Sequence, residues 1–175
     1  MAYVDTNMLI SYHFDEEENH PISVEVFKRL ESMGSRMYIS PLTPLELHSV
    51  VVRNLSKYKM PLHYMILDEK GRARALVKDI LEYAKPVIVE DELRVELTGG
   101  RNVFHVCRKA IDLALELKLR ALDVMHIAYA LELAKRGLVE VFATLDGEIL
   151  KRRRLLESLG LRVQGPVGLD SGARA

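Results

Sequence analysis

The chain has 175 residues, 49% of them hydrophobic, which suits one domain with a buried core. Lys+Arg and Asp+Glu each total 25, so the formal net charge is zero and any contact with nucleic acid must be local. No apolar run is long enough to span a bilayer, no signal-peptide pattern is expected at the N-terminus, and the single Cys107 excludes a disulfide framework or a multi-cysteine zinc ribbon, so a reducing, cytoplasmic setting is expected.

Residues 2–4 read as a very short apolar strand that ends on a carboxylate, Asp5. Thr6 or Asn7 is expected to cap a helix starting near Met8. An Asp at the exit of a first strand lies where open parallel sheets bind ligands, although an Asp-Thr turn can also simply start a helix. Asp15 to Glu18 form an acidic loop, read as solvated surface before any cation site. Pro21 opens a helix with Val24, Phe27 and Leu30 as its buried stripe and Gly34 as its stop. Residues 36–40 form a second strand.

Thr43-Pro44-Leu45-Glu46 has the spacing of a capping box, with Thr43 as N-cap and Pro44 at the first helical position. That box alone accounts for Glu46, yet it also places a carboxylate near the edge where Asp5 lies. Residues 60–85 are helical in pattern, with Gly71 expected to split them into two helices. Pro86 precedes a third strand, residues 87–89. Glu90, Asp91 and Glu92 follow as rivals for a metal role, ranked lower because residues 93–100 look irregular and uncapped. Residues 102–119 form an amphipathic helix; His105 and Cys107, two apart within it, lie on different sides and do not share a metal.

Small and apolar residues from Ile127 to Ala134 mark a tightly buried helix. Asp123 near its start has an N-cap reading, and His126, one turn on, reads as a packed or hydrogen-bonded core histidine before a ligand. Residues 139–143 form a fourth strand, exiting on Thr144-Leu145-Asp146-Gly147, where Asp146-Gly147 alone is an ordinary turn dipeptide. A helix over 148–159 and a short strand over 161–163 complete the fold. Lys151-Arg152-Arg153-Arg154 is the one dense basic block; its four residues exceed one helical turn, so at most two face a phosphate and the rest are solvated. Residues 165–175 are expected to form a flexible tail after a single domain over 1–164, with an extended helical and irregular segment over 55–100.

Each acid has a structural explanation taken singly. Together, Asp5 and Asp146 follow strands directly, while Glu46 and Asp123 begin helices. In a doubly wound α/β sheet the strand exits and the helix after the second strand share one edge; Asp123 is the member that strand logic alone does not bring there. Crowded carboxylates repel unless a cation joins them, and oxygen ligands without Cys select Mg²⁺ or Mn²⁺ over zinc.

These motifs, Val4-Asp5-Thr6-Asn7, Thr43-Pro44-Leu45-Glu46, Leu122-Asp123 with its Ala-rich helix, and Ala143-Thr144-Leu145-Asp146, together resemble a PIN-domain nuclease, most of all the VapC-type toxin ribonucleases. The resemblance implies a five-stranded parallel sheet, order 3-2-1-4-5, flanked by helices, with an acidic Mg²⁺ or Mn²⁺ site that hydrolyses RNA phosphodiester bonds. It implies Asp5, Glu46 and Asp123 as core metal-binding and catalytic acids, Asp146 as a less constant fourth, and Thr6, Asn7 and Thr144 as supporting residues. Arg152, Arg153 and Arg154 are candidates for RNA binding. An RNA substrate, an antitoxin peptide, a homodimer and no membrane are the implied partners. Two departures stand out: the segment over 55–100 is longer than in compact toxins, and Thr144-Leu145-Asp146 replaces the usual Thr-Arg-Asn.

Other classes fit less well. A haloacid-dehalogenase-type phosphatase wants a second Asp two residues after the first, and position 7 is Asn. A receiver domain wants adjacent acids and a lysine after the last strand. The serious alternative is a catalytically silent PIN-fold module that binds RNA or protein.

Overall fold

The computed structural model describes residues 1–90 and 95–166. Asp91 and Glu92, and the expected tail from residue 167 onward, lie outside the described residues. In chain order the elements are β1 (Ala2–Val4), α1 (Thr6–His13), α2 (His20–Ser32), β2 (Met37–Ile39), α3 (Leu42–Arg53), a 3-10 turn over Leu62–Ile66, α4 (Glu69–Ala84), β3 (Val87–Ile88), β4 (Val95–Thr98), β5 (Arg101–Phe104), α5 (His105–Leu117), α6 (Ala121–Lys135), β6 (Val141–Ala143), α7 (Gly147–Leu150), α8 (Arg153–Ser158) and β7 (Arg162–Gln164).

Five strands form one sheet in the order β3-β2-β1-β6-β7, with every pairing parallel. Counting only these five, that is the expected 3-2-1-4-5 order, with β1 at the centre. The alternation of side chains along three-residue strands then divides the apolar residues between two layers. Ala2 and Val4 face one core, built with Met8, Leu9, Phe27, Leu47, Val51 and the inner stripe of α4. Tyr3 faces the other, with Phe142, Ile127, Leu117 and Leu156. Tyr3 lies nearly parallel to Phe142, ring centroids 5.3 Å apart. Burying each large side chain contributes about 1.5–3 kcal/mol, so these two layers outweigh the weak hydrogen-bond yield of such short strands.

Several local expectations change. The segment expected to be irregular contains an antiparallel hairpin: β4 and β5 pair from Val95↔Phe104 to Thr98↔Arg101. Gly99 and Gly100 form its two-residue turn, with φ +57° and +76°. Two successive left-handed residues make the turn whose twist suits a hairpin, and glycine adopts them without a Cβ penalty. The following helix therefore begins at His105, not residue 102.

Gly71 does not divide a helix either. The break falls before Asp68, whose carboxylate accepts the Gly71 N–H at 2.7 Å and caps α4. A Cβ on Gly71 would come within 2.9 Å of that carboxylate. The helix expected over 148–159 is two pieces, α7 and α8, and at the junction Arg152 Nε donates to the Leu117 carbonyl at 2.9 Å.

Candidate acidic metal site

The centre of the site is the end of β1. Asp5, not Thr6 or Asn7, is the N-cap of α1: its Oδ1 accepts the Thr6 N–H at 2.8 Å, so the helix starts directly after the strand. Its backbone N–H bonds the Ala143 carbonyl at 3.0 Å, which extends the β1–β6 pairing up to the acid itself. Its other oxygen, Oδ2, accepts the Thr144 hydroxyl at 2.7 Å. Both strand exits are thereby tied to one carboxylate.

Glu46 reaches the same place from α3. The capping box expected around it does not form: α3 begins at Leu42, its N-cap is Pro41, and no side chain caps it. Thr43 is buried, with its hydroxyl 3.4 Å from Ser40 Oγ. The Glu46 carboxylate turns away from its own helix and accepts two tertiary hydrogen bonds on Oε2. One comes from the Thr6 hydroxyl; the other joins His126 Nε2 at 3.0 Å. Asp5, Glu46 and His126 offer ligand atoms that all lie within 4.8 Å of one another.

Asp123 does not cap α6, whose N-cap is Arg120 without a side-chain bond. It occupies the first turn, half-buried, where a carboxylate complements the helix dipole. Its carboxyl is raised by burial and then by the charges of Asp146 and Glu46, so it faces the same edge without joining the tight trio. Asp146 caps α7, its Oδ1 accepting the N–H groups of Glu148 at 2.6 Å and Ile149 at 3.2 Å. The Asp146 N–H in turn bonds Thr144 Oγ1 at 3.0 Å. Asn7 is exposed on the first turn of α1, beside an open polar cleft shared with Asn54, Lys57 and Asp146.

The electrostatics are uneven. Burial pushes Asp5 up to about 6; the Glu46 charge adds to this, while the Thr144 hydroxyl and the Thr6 N–H oppose it. Burial also raises Glu46, but the hydrogen bonds from His126 and Thr6 outweigh it and hold this carboxyl below its ordinary value. One buried acid therefore resists ionisation while its neighbour stays charged. A cation relieves that conflict, and donors dominated by carboxylate oxygen fit a hard divalent ion such as Mg²⁺ or Mn²⁺.

The remaining candidates sort differently. In the acidic loop, Glu17 accepts hydrogen bonds from Lys57 Nζ at 2.7 Å and the Tyr58 hydroxyl at 2.9 Å, and Glu16 pairs with Lys59, so these acids serve local contacts. Glu90 is exposed beside His105 and is not one of the trio. His105 lies between Glu96 at 2.7 Å and Glu132 at 3.1 Å. The basic block divides: Arg152 turns to the α5 terminus, Arg153 lies beside Arg29 and Arg162, and Arg154 is exposed.

From sequence, His126 reads as a core residue, and Tyr3 and Ser40 carry no role. His126 is indeed buried, but one ring nitrogen meets Glu46 and the other meets Tyr3 OH at 2.7 Å and Ser40 Oγ at 3.2 Å. The i, i+3 spacing of Asp123 and His126 on one helix face is the signal that points to it.

The family model for the PIN domain matches residues 2–155. Among solved structures, the chain is similar to the crystal structure of PAE2754 from Pyrobaculum aerophilum, with a TM-score of 0.46 and 17% identity, covering 90% of this chain and 93% of that one. No curated protein matches the sequence. Among the described residues, no helix is long and apolar enough to cross a membrane.

Proposed function

Because the chain belongs to the PIN domain family, we propose that it is a Mg²⁺- or Mn²⁺-dependent endoribonuclease. PIN domains are generally nucleases; RNA as substrate and the divalent ion belong to this proposal. The observation that carries it is the convergence of Asp5 and Glu46 at the β1 exit, with Asp123 and Asp146 charge-coupled around them. A structural explanation by capping fails for Glu46 and Asp123, neither of which caps its helix.

In this reading Asp5, Glu46, Asp123 and Asp146 hold the ion. When bound, it supplies charge neutralisation at the scissile phosphate and a more acidic attacking water. The rest is done by the chain's own groups. Thr144 and Thr6 fix the orientations of Asp5 and Glu46 through their hydroxyls. The N-terminus of α1 aims partial positive charge at the edge where a phosphate would lie. Of the basic block, Arg152 and Arg154 are the candidates for backbone phosphates away from the reacting bond. In-line attack by water leaves a 5′-phosphate on the product.

The finer reading is the toxin of a toxin–antitoxin pair, acting as a homodimer. Carboxylates crowded at one edge favour an inhibitor peptide that presents an Arg, because a guanidinium meets a carboxylate through two parallel hydrogen bonds.

The test is cleavage of end-labelled single-stranded RNA with Mg²⁺, with Mn²⁺ and with chelator, using the wild type and Asp123→Asn purified side by side. Metal-dependent cleavage by the wild type alone, with 5′-phosphate ends, is the expected result. Wild type that binds no Mn²⁺ and cuts no RNA would leave the silent binding module as the correct reading.

A further inference from the structure

The trio of close ligand atoms contains one nitrogen, His126 Nε2, and simple proximity would count it as a metal ligand. The hydrogen bonds around the ring assign it otherwise. His126 Nε2 lies 3.0 Å from Glu46 Oε2. Glu46 Oε2 already accepts the Thr6 hydroxyl and is an acceptor in this contact too, so the hydrogen between them belongs to the ring. On the other side, Tyr3 Oη already accepts the Ser40 N–H at 3.1 Å, leaving its own proton to donate. Its nearest partner is His126 Nδ1, at 2.7 Å. Ser40 Oγ, also near Nδ1, accepts the Leu42 N–H at 3.2 Å and is oriented by it.

We infer that His126 is a positioning residue: its ring accepts the fixed Tyr3 hydroxyl at Nδ1, donates from Nε2 to Glu46 Oε2, and so aims the other Glu46 oxygen at the cation. The Thr6 hydroxyl donates to the same oxygen, Oε2, so both restraints fall on one side of the carboxylate and neither falls on Oε1. The chain Ser40 N–H, Tyr3, His126, Glu46 runs from the exit of β2 through the central strand to α6 and on to α3. It couples the acid's orientation to the most deeply buried part of the sheet. Partners of this kind around metal-binding carboxylates are worth about 10–100-fold in metal affinity.

The inference rests on the metal-site reading above, and its test separates the two. The ring nitrogens of ¹⁵N-labelled protein are observed by long-range proton–nitrogen correlation, first without metal and then through a Mg²⁺ titration. Tyr3→Phe, His126→Leu and His126→Gln are measured for Mn²⁺ affinity by the free-ion resonance signal. In the metal-free wild type, Nε2 is expected to be protonated and Nδ1 not, and Mg²⁺ should leave that pattern in place. His126→Leu should lose about 10-fold or more in Mn²⁺ affinity. His126→Gln, whose amide can still donate to Glu46, should recover most of it, and Tyr3→Phe should lose less than His126→Leu. Loss of the Nε2 proton on Mg²⁺ binding would make His126 a ligand and overturn the inference. Unchanged Mn²⁺ affinity in His126→Leu would reduce the ring to packing and overturn it equally. A wild type that binds no Mn²⁺ would overturn the metal-site reading, and the positioning role with it, while the tautomer would still be read from the metal-free spectrum.

Discussion

The Thr144 hydroxyl donates to Asp5 Oδ2 at 2.7 Å, joining the exits of two adjacent parallel strands, β6 and β1. Asp5 is thus both buried and bonded, and it is the most conflicted acid of the site. In an unfolded chain it ionises near 3.8, whereas in the fold burial pushes it up to about 6. Between those values the folded state keeps a proton that the unfolded state has released. Stability therefore falls as pH rises through the window from about 4 to 6, and the penalty is fully present above it. Asp5→Asn should melt at the same temperature as wild type or about 2–6 °C higher at pH 7 in chelator, with the difference vanishing near pH 4. Saturating Mn²⁺ should stabilise wild type, by about 2.7 kcal/mol at 100 times Kd, and the variant far less. Thermal melts of both proteins at the two pH values, with chelator and with Mn²⁺, check this. A variant that melts well below wild type in chelator and gains equally from Mn²⁺ would make Asp5 only a cap.

Asp123 bonds no helix terminus, and burial and the charges of Asp146 and Glu46 raise its carboxyl, so its carboxylate is not needed for the fold. Asp123→Asn should leave the metal-free melting temperature unchanged or slightly raised while lowering RNA cleavage by at least about 100-fold. Cleavage at the wild-type rate would remove Asp123 from the site.

Asp146 has two separable contributions. As the cap of α7 it accepts two backbone N–H groups, and Asp146→Ala should cost about 1 kcal/mol of stability. Asp146→Asn keeps an acceptor oxygen but loses the charge. If the acid serves the metal, Asp146→Asn should cleave more slowly with its melting temperature nearly intact. Equal activity in Asp146→Asn and wild type would leave only the cap.

The basic block should divide functionally as it divides in space. Arg152 reaches toward the C-terminal end of α5, close to the start of α6 where Asp123 lies, whereas Arg153 lies beside Val141 and Arg162, which open β6 and β7. In RNA-binding titrations over a range of salt, Arg152→Gln should lower the dependence on salt by about one counterion. Arg153→Gln should not. The opposite pattern would place the RNA path on the other side of α8.

The hairpin turn gives a purely structural expectation. Gly99 and Gly100 both have positive φ, so Gly99→Ala should cost about 1–2 kcal/mol locally, and Gly99→Asn less. Amide exchange at Glu96 and Val103, which face each other across the ladder, should quicken in the alanine variant, with amides of β1 unaffected. Equal quickening across both would mean that the hairpin and the sheet open together.

Strand exits are the legible part of the sequence. Asp5 and Asp146 follow short apolar runs directly, while the order of the parallel strands comes from the family resemblance. What the pattern does not reveal is set by distant partners. Thr43 and Glu46 have perfect local spacing for a capping box, yet Glu46 gains donors from Thr6 and His126, 40 and 80 positions away. No local rule weighs those against a cap. The hairpin is hidden for a different reason: Thr98-Gly99-Gly100-Arg101 is a strong turn signal, but the flanking strands are only four residues long and their apolar alternation is brief. The burial of His126 is legible from its apolar neighbours, whereas its hydrogen bonds on both nitrogens come from residues far away in the chain.

The sheet's two outer strands, β3 and β7, are two and three residues long. A chain with no net charge lacks the long-range repulsion that keeps copies apart in solution, and neutral proteins tend to associate and precipitate. Val87 and Ile88 on β3 are nearly half exposed, the composition that invites another strand to dock. At two residues, however, β3 presents too few free amides and carbonyls to template a ladder. Brevity at the margins thus protects against fibril-like growth where charge does not, and lengthening β3 outward is the change that would make this protein prone to aggregate.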